Sequence, residues 1–223
     1  MMKPVLSIRN LQVDAYLPDE TRRLIDDVSL TLNQGEILGL VGESGSGKSL
    51  LCRSIVRLLP SSILKTTAGS VMLKGKDLVQ ASEAELLAVR GGKIGMIFQN
   101  PTSHLDPVMS VGDQIAEGIR FHKGLNKADA RAAAIEIMAQ VGFTDPARQY
   151  GSYPHEFSGG MRQRAMIAVA LSCDPEILIA DEPTTALDVP DYLYRLISVF
   201  TEIFGKCHEY CADLDHRLFD TFP

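Results

Sequence analysis

The chain has 223 residues, of which 45% are hydrophobic and 22% are charged, a balance typical of one folded domain and not of a disordered segment. Its net charge of −6 argues against broad, non-specific nucleic-acid binding, which requires a basic face. The longest apolar runs fall well short of the roughly 20 residues of a membrane-spanning helix. Met1 to Pro4 do not lead into the apolar core of a signal peptide, so we expect a cytosolic protein.

The first third of the chain predicts strands and one helix. Residues 5–13 alternate between polar and apolar side chains, which predicts an edge strand, and residues 14–21 are turn-like. The compact apolar run 37–41 predicts a buried strand that leads into a glycine-rich segment. From Lys48 onwards, apolar side chains recur on one helical face, and Pro60 is expected to end that helix.

The remainder predicts a helical stretch between two further strands. The apolar runs 94–98 and 177–180 are the strand candidates, and residues 110–172 have helical character. Asn126, followed three residues later by an aspartate, is typical of a capped helix start, and Gly142 closes the same helix. Buried strands alternating with helices predict an α/β fold with a mostly parallel sheet, and the helical stretch is interpreted as an inserted subdomain.

The glycine-rich segment fits the pattern G-x-x-x-x-G-K-S/T over residues 42–49. Glycines let the backbone curl so that its N–H groups surround phosphate oxygens, and the following helix presents its positive end to the same anion. Lys48 adds a positive charge for the β- and γ-phosphates, and the Ser49 hydroxyl is a ligand for Mg²⁺. An ordinary Gly/Ser turn is the alternative, but the predicted strand before it and helix after it favour a nucleotide site. The predicted binding residues are Gly42, Glu43, Ser44, Gly45, Ser46, Gly47, Lys48 and Ser49.

Two carboxylates follow the strand candidate 177–180. In open α/β sheets, ligands bind at the carboxyl ends of the strands, so Asp181 is placed to hold Mg²⁺ and Glu182 to orient and polarise an attacking water. A strand that ends in a solvated acidic turn is the alternative. The phosphate-loop pattern upstream favours the catalytic interpretation.

Residues 157–164, with the sequence F-S-G-G-M-R-Q-R, resemble the signature motif of ABC ATPases. By themselves, a serine and two glycines before a basic helix are also compatible with an ordinary helix cap, which is the alternative. The functional interpretation is a helix N-terminus whose backbone donors face phosphate. In the family, this motif contacts the ATP that a second subunit holds. The resemblance therefore implies a head-to-tail dimer with ATP at the interface, bound partly by Ser158, Gly159 and Gly160.

Three further segments match motifs of the same family. Gln99 corresponds to the glutamine that reaches the metal and the attacking water, although a polar residue before a proline turn is the alternative. Residues 186–188 correspond to the segment that crosses the dimer interface. Tyr16 is a candidate for the aromatic side chain that stacks on adenine. Its spacing from Val13 is one residue off the usual pattern, so an ordinary surface tyrosine remains the alternative.

The resemblance covers residues 4–189 and is strongest, in 41–50 and 97–107, to the ATPases of dipeptide, oligopeptide and nickel importers. It implies a P-loop NTPase core in domain 1–189, with N-terminal antiparallel strands and a helical subdomain at about 105–172. It also implies ATP and Mg²⁺ as cofactors and a peripheral location on the cytoplasmic face of the inner membrane. The implied partners are an identical or paralogous ATPase subunit, two transmembrane permease subunits and, indirectly, an external solute-binding protein.

The tail, residues 190–223, departs from the family. The family continues with a helix, an apolar strand and a histidine that contacts the γ-phosphate. Here an amphipathic helix is predicted over 193–204, but the polar segment 205–216 predicts no strand, and His216 is interpreted as a surface histidine. We expect the C-terminal part of the fold to be missing. A reading-frame change near Val189 is one hypothesis, which the genomic sequence would test.

Three functions follow from these patterns. The leading one is an ATPase that energises an importer of peptides or nickel-like solutes. The second is a truncated ATPase that binds ATP but hydrolyses it poorly, because the tail lacks the expected histidine. The third, a non-transport ABC ATPase, is disfavoured because the sequence shows neither a long coiled-coil insertion nor a second ATPase module.

Overall fold

The computed structural model describes residues 3–181 and 209–213. Within them lie two compact units, one formed by residues 3–89 with 209–213 and the other by residues 90–181. None of the helices in these residues is long and apolar enough to span a membrane. The predicted residues Glu182, 186–188, 193–204 and His216 lie outside the described part of the chain.

The elements are numbered in chain order. The first unit begins with β1 (Pro4–Tyr16), β2 (Thr21–Asn33), β3 (Ile37–Leu40), α1 (Lys48–Ile55), β4 (Leu64–Leu73), β5 (Lys76–Asp77) and α2 (Glu83–Val89). The second unit contains β6 (Ile94–Ile97), α3 (Pro101–His104), α4 (Val111–Lys123), α5 (Lys127–Gln140), α6 (Pro146–Gln149), a 3-10 turn (Pro154–Glu156), α7 (Gly159–Leu171) and β7 (Ile177–Ala180). Strand β8 (Glu209–Asp213) then returns to the first unit.

Strand β1 lies inside a four-stranded antiparallel sheet with the order β2-β1-β4-β5. Leu6 pairs with Leu32 of β2 on one side and with Leu73 of β4 on the other, so the predicted edge strand is wrong. Alternation of side chains reports that one face is buried, and it carries no information about how many neighbours a strand has. The strand also runs to Tyr16, which shortens the predicted turn.

The pattern after β3 also differs from the sequence-based expectation. Strand β8 pairs parallel with β3, with Ile37 beside Tyr210 and Leu40 beside Asp213, so the expectation of no strand in 205–216 is wrong. Strand pairing is made by main-chain groups and does not require apolar side chains. Helix α1 ends at Ile55, before the predicted stop at Pro60, and Arg57 has the left-handed φ of 53°.

The second unit confirms both of its predicted strands. β6 and β7 pair parallel from Ile94–Ile177 to Ile97–Ala180, and every residue of β7 is buried. A side chain at Gly95 would collide with the carbonyl oxygen of Ala170 in α7. Glycine at this position therefore lets the helix lie directly against the strand.

Helices α3 to α7 lie between β6 and β7 along the chain. The predicted helix start is confirmed, because the Asn126 side chain accepts hydrogen bonds from the N–H groups of Ala128 and Asp129. Gly142 follows this helix with a φ of 89°. The subdomain boundaries at about 105–172 stay a prediction.

A polar cluster fixes the start of α4. The Tyr150 hydroxyl donates to Asp113 at 2.8 Å, and the Ser110 hydroxyl donates to the same carboxylate at 2.7 Å. The Arg131 guanidinium lies 4.1 Å from the centroid of the Tyr150 ring. Burial, followed by the bond to Asp113, raises the pKa of Tyr150 to about 12.

Candidate functional site

The loop between β3 and α1 adopts a conformation that requires glycine. Gly45 and Gly47 have φ values of 81° and 96°, in the left-handed region that glycine populates readily. Gly47 is also the N-cap residue of α1. A Cβ on Gly42 would lie 2.8 Å from the Ser46 hydroxyl oxygen. The backbone conformation and the close contacts of the loop therefore explain why glycine occupies these positions of the sequence pattern.

Lys48 closes this loop on itself. Its ammonium donates to the carbonyl oxygen of Gly42 at 2.8 Å and to that of Glu43 at 3.1 Å. The N–H of Ser46 donates to the same Glu43 carbonyl at 3.1 Å. Helix α1 is anchored below by buried side chains, among them Ile55. Hydrogen bonds within the loop and the buried side chains of α1 thus both stabilise its conformation.

The residues of this loop fit a phosphate group. The first turn of α1 contains no acidic side chain, so its N–H groups and Lys48 together favour an anion at this helix end. Ser49 lies in that same turn and supplies a hydroxyl of the kind that ligates Mg²⁺ in such loops. Closely spaced N–H donors, an ammonium and a hydroxyl form the donor set expected for a nucleoside triphosphate with its metal.

Tyr16 ends strand β1 in the same unit as the loop. Its ring is 45% exposed, and the Lys65 ammonium lies 5.5 Å from the ring centroid. The exposed ring is compatible with stacking on a base and equally with an ordinary surface tyrosine, so both interpretations stand.

The second unit carries the acidic strand end. Asp181 follows β7 and is 0% exposed, and its N–H donates to the carbonyl oxygen of Ile97 at 2.9 Å. Gln99 lies two residues beyond Ile97, so both predicted metal ligands follow the carboxyl ends of paired parallel strands. This is the edge at which α/β sheets bind ligands.

The residues 158–160 form the N-terminus of α7. The exposed Ser158 is its N-cap, and the serine hydroxyl accepts the N–H of Met161 at 3.3 Å. Gly159 and Gly160 form the start of the helix without side chains that would cover its N–H groups. The Arg162 guanidinium donates to the carbonyl oxygen of Phe157 at 2.6 Å, which fixes the approach to the helix.

The structure therefore groups the predicted site residues in two sets. The first unit holds 42–49 and Tyr16, and the second holds Gln99, Asp181 and 158–160. Sequence reasoning missed His104, whose ring stacks on Phe98, the residue before Gln99. The sequence does show a histidine five residues beyond Gln99. Its contact with Phe98 depends on a turn of the chain that the spacing alone does not predict.

Comparison with known proteins identifies relatives along most of the chain. Residues 25–185 match the family described as ABC transporter. A probable peptide ABC transporter ATP-binding protein of Sinorhizobium fredii is 50% identical over 83% of this chain and 55% of its own length. The dipeptide transport ATP-binding protein DppD of Bacillus subtilis is 46% identical over 92% of this chain and 61% of its own length. The chain thus spans 55% to 61% of the length of these relatives.

The fold has counterparts among solved structures. The ATP-binding cassette MJ0796, solved as a dimer in a post-hydrolysis state with ADP and Pi, is 25% identical and gives a TM-score of 0.79. This match covers 95% of the present chain and 88% of MJ0796. The phosphate-loop geometry and these matches agree, and the chain belongs to the ABC transporter family, in which its similarity is to ATP-binding proteins.

Proposed function

We propose that this chain binds ATP with Mg²⁺, hydrolyses it, and so energises an importer of peptides or of nickel-like small solutes. The observation that carries this proposal is the loop 42–49, closed by Lys48 at the N-terminus of α1. Support for peptide cargo comes from the relatives, whose names specify peptide or dipeptide transport. In such systems the ATPase supplies energy, and other subunits recognise the cargo.

Different residues of the chain are proposed to bind the phosphates, hold the metal and orient the attacking water. Lys48 and the N–H groups of α1 would bind the β- and γ-phosphates, and Ser49, Asp181 and Gln99 would hold the metal. Mg²⁺, when bound, neutralises charge on the phosphate oxygens. Glu182, the residue after Asp181 in the sequence, orients and polarises the attacking water. Catalysis by these residues consists mainly of positioning and charge stabilisation.

The proposed working unit is a dimer of ATPase subunits with two transmembrane permease subunits. The N-terminus of α7, with Ser158, Gly159 and Gly160, would face the ATP held by the second ATPase subunit, identical or paralogous. The dimeric form of MJ0796 with ADP and Pi supports the dimer of ATPase subunits. We place the assembly at the cytoplasmic face of the inner membrane, with an external solute-binding protein as an indirect partner and no role for nucleic acid.

The test is ATP binding and turnover by four forms of the chain. A fluorescent ATP analogue and steady-state phosphate release are measured for the unaltered chain, Lys48→Ala, Glu182→Gln and Lys76→Ala. Lys76 is the matched control because it is an exposed lysine of the same unit, paired with Glu85 at 2.7 Å. We expect Lys48→Ala to weaken ATP binding at least about tenfold, since it removes a charge-assisted contact, and Lys76→Ala to bind normally.

The outcomes separate the candidate functions. Turnover that Glu182→Gln abolishes, with binding retained, supports the hydrolytic subunit. Binding without turnover in the unaltered chain supports the alternative of an ATP-binding chain that hydrolyses poorly. Normal ATP binding by Lys48→Ala contradicts the proposed site.

A further inference from the structure

We propose that His104 is a positioning residue for Gln99, because its imidazole contacts the residues on both sides of Gln99 and fixes the backbone between them. The inference rests on the proposed function, which gives Gln99 its role at the metal. It adds a residue to that site. His104 itself is not proposed to touch the nucleotide, the metal or the attacking water.

The first contact is made before Gln99. The rings of Phe98 and His104 are nearly parallel, with an interplanar angle of 5° and centroids 4.1 Å apart. At this distance the two ring faces are in van der Waals contact. The stack therefore restrains the side chain, and with it the backbone, of the residue that precedes Gln99.

The second contact is made after Gln99. The Nδ1 atom of His104 lies 2.8 Å from the carbonyl oxygen of Asn100. Ser103 Oγ also lies 3.0 Å from Nδ1. Because a carbonyl oxygen only accepts, the bond to Asn100 requires the tautomer with a hydrogen on Nδ1, which donates it to that carbonyl oxygen. The Ser103 hydroxyl donates to the same oxygen at 3.1 Å. The carbonyl on the far side of Gln99 is thus held by two donors from the end of α3.

The segment is also anchored at both of its ends. Before Phe98, the carbonyl oxygen of Ile97 accepts the N–H of Asp181 at 2.9 Å, which ties the segment to the end of β7. After His104, Leu105 is buried, and the amide of Gln114 bonds both the N–H and the carbonyl of Asp106. The residues that follow His104 are therefore anchored, and the His104 side chain contacts the part of the segment that carries Gln99.

The segment around Gln99 is not held by burial of these side chains. Gln99, Asn100, Ser103 and His104 are all exposed. Exposed loop segments with few packed contacts sample open conformations at low cost in free energy. Side-chain contacts can restrain such a segment, and the imidazole supplies one on each side of Gln99.

A purely structural role for His104 is the competing explanation. Two variants first separate the ring stack from the hydrogen bond. His104→Asn retains a side-chain N–H at the position of Nδ1 but loses the stack, whereas His104→Phe retains the stack but loses the donor. His104→Ala loses both. His155→Ala is the matched control, because His155 is another exposed histidine stacked on an aromatic ring, that of Tyr153.

The experiment measures the affinity of each variant for a fluorescent ATP analogue, once with Mg²⁺ and once with EDTA. The gain in affinity from Mg²⁺ reports the metal ligands and does not depend on turnover. We expect His104→Ala to reduce this gain about two- to tenfold, the range that the loss of one hydrogen bond gives, and to leave binding in EDTA unchanged. His104→Asn should recover part of the gain, and His155→Ala should match the unaltered chain.

A double variant tests whether His104 acts through Gln99. In a Gln99→Ala background, His104→Ala should cause no further loss of the Mg²⁺-dependent gain, because the group that it positions is gone. Equal losses from His104→Ala with and without Gln99 would overturn the inference. So would an unchanged gain in His104→Ala. A chain that binds no ATP at all would instead overturn the proposed function itself.

Discussion

Strands β3 and β7 differ in their surroundings although their sequences are alike. Both are short and apolar, and each leads into a segment that carries the proposed chemistry. Every residue of β7 is buried, whereas Ile37 at the start of β3 is 50% exposed and no residue of β3 is fully buried. The phosphate loop and the acidic strand end therefore follow strands that differ in burial.

The acidic strand end is held by packing. Helix α7 lies so close to β6 that only glycine fits at position 95, and the neighbouring β7 places Asp181 in the interior. The phosphate loop is held by polar contacts, chiefly those of the Lys48 ammonium with two carbonyl oxygens. Substitutions of side chains that pack should therefore affect the two regions unequally.

The largest expected effect comes from truncating the same residue type in each strand. Ile177→Ala should lower the free energy of unfolding by about 2–5 kcal/mol, because it leaves a cavity around a fully buried side chain. Ile37→Ala should lower it by less than about 1 kcal/mol, since half of that side chain is already in water. Urea denaturation of both variants measures the difference, and equal losses would contradict the contrast between the strands.

A smaller effect is expected from Tyr150→Phe, which removes a polar contact within the packed unit. The loss of the hydrogen bond to the exposed Asp113 should lower the free energy of unfolding by about 1 kcal/mol at neutral pH.

The same variant carries a pH signature. Folding raises the pKa of Tyr150 from its ordinary value near 10 to about 12, so the folded state favours the neutral phenol. That stabilisation is complete below about pH 10 and is lost as the pH rises through about 12. Denaturation between these values should show a decline in the unaltered chain that is weaker in Tyr150→Phe. A parallel decline in both would assign it to other groups.

The smallest expected effect concerns an exposed ion pair of the first unit. The Lys76 ammonium, 2.7 Å from Glu85, and the donors of Ser82 lower the pKa of Glu85 to about 2. Lys76→Ala should raise that pKa towards its ordinary value with little change in the free energy of unfolding, because exposed pairs are screened by water. NMR titration of the Glu85 carboxyl measures this, with Lys93→Ala as a control that should leave it unmoved.

Sequence patterns predicted those structural features that depend on residues close together along the chain. The loop 42–49 could be predicted because its glycines adopt backbone conformations that other residues avoid. The Asn126 cap could be predicted because its hydrogen-bond partners lie within three residues along the chain. The places of β1 and β8 were not predicted, because strand neighbours depend on distant segments. The exposure of β3 and the stack of His104 on Phe98 likewise depend on the folded chain.

The internal bonds of Lys48 have a consequence for how the loop meets a ligand. Its ammonium already bridges the carbonyl oxygens of Gly42 and Glu43. These two bonds restrain the loop before any ligand arrives, which lowers the entropy cost of ordering it around an anion. Contact with phosphate exchanges one set of oxygen acceptors for another around the same nitrogen. Such an exchange is compatible with the proposed ATPase cycle, in which the product has to leave after each turnover.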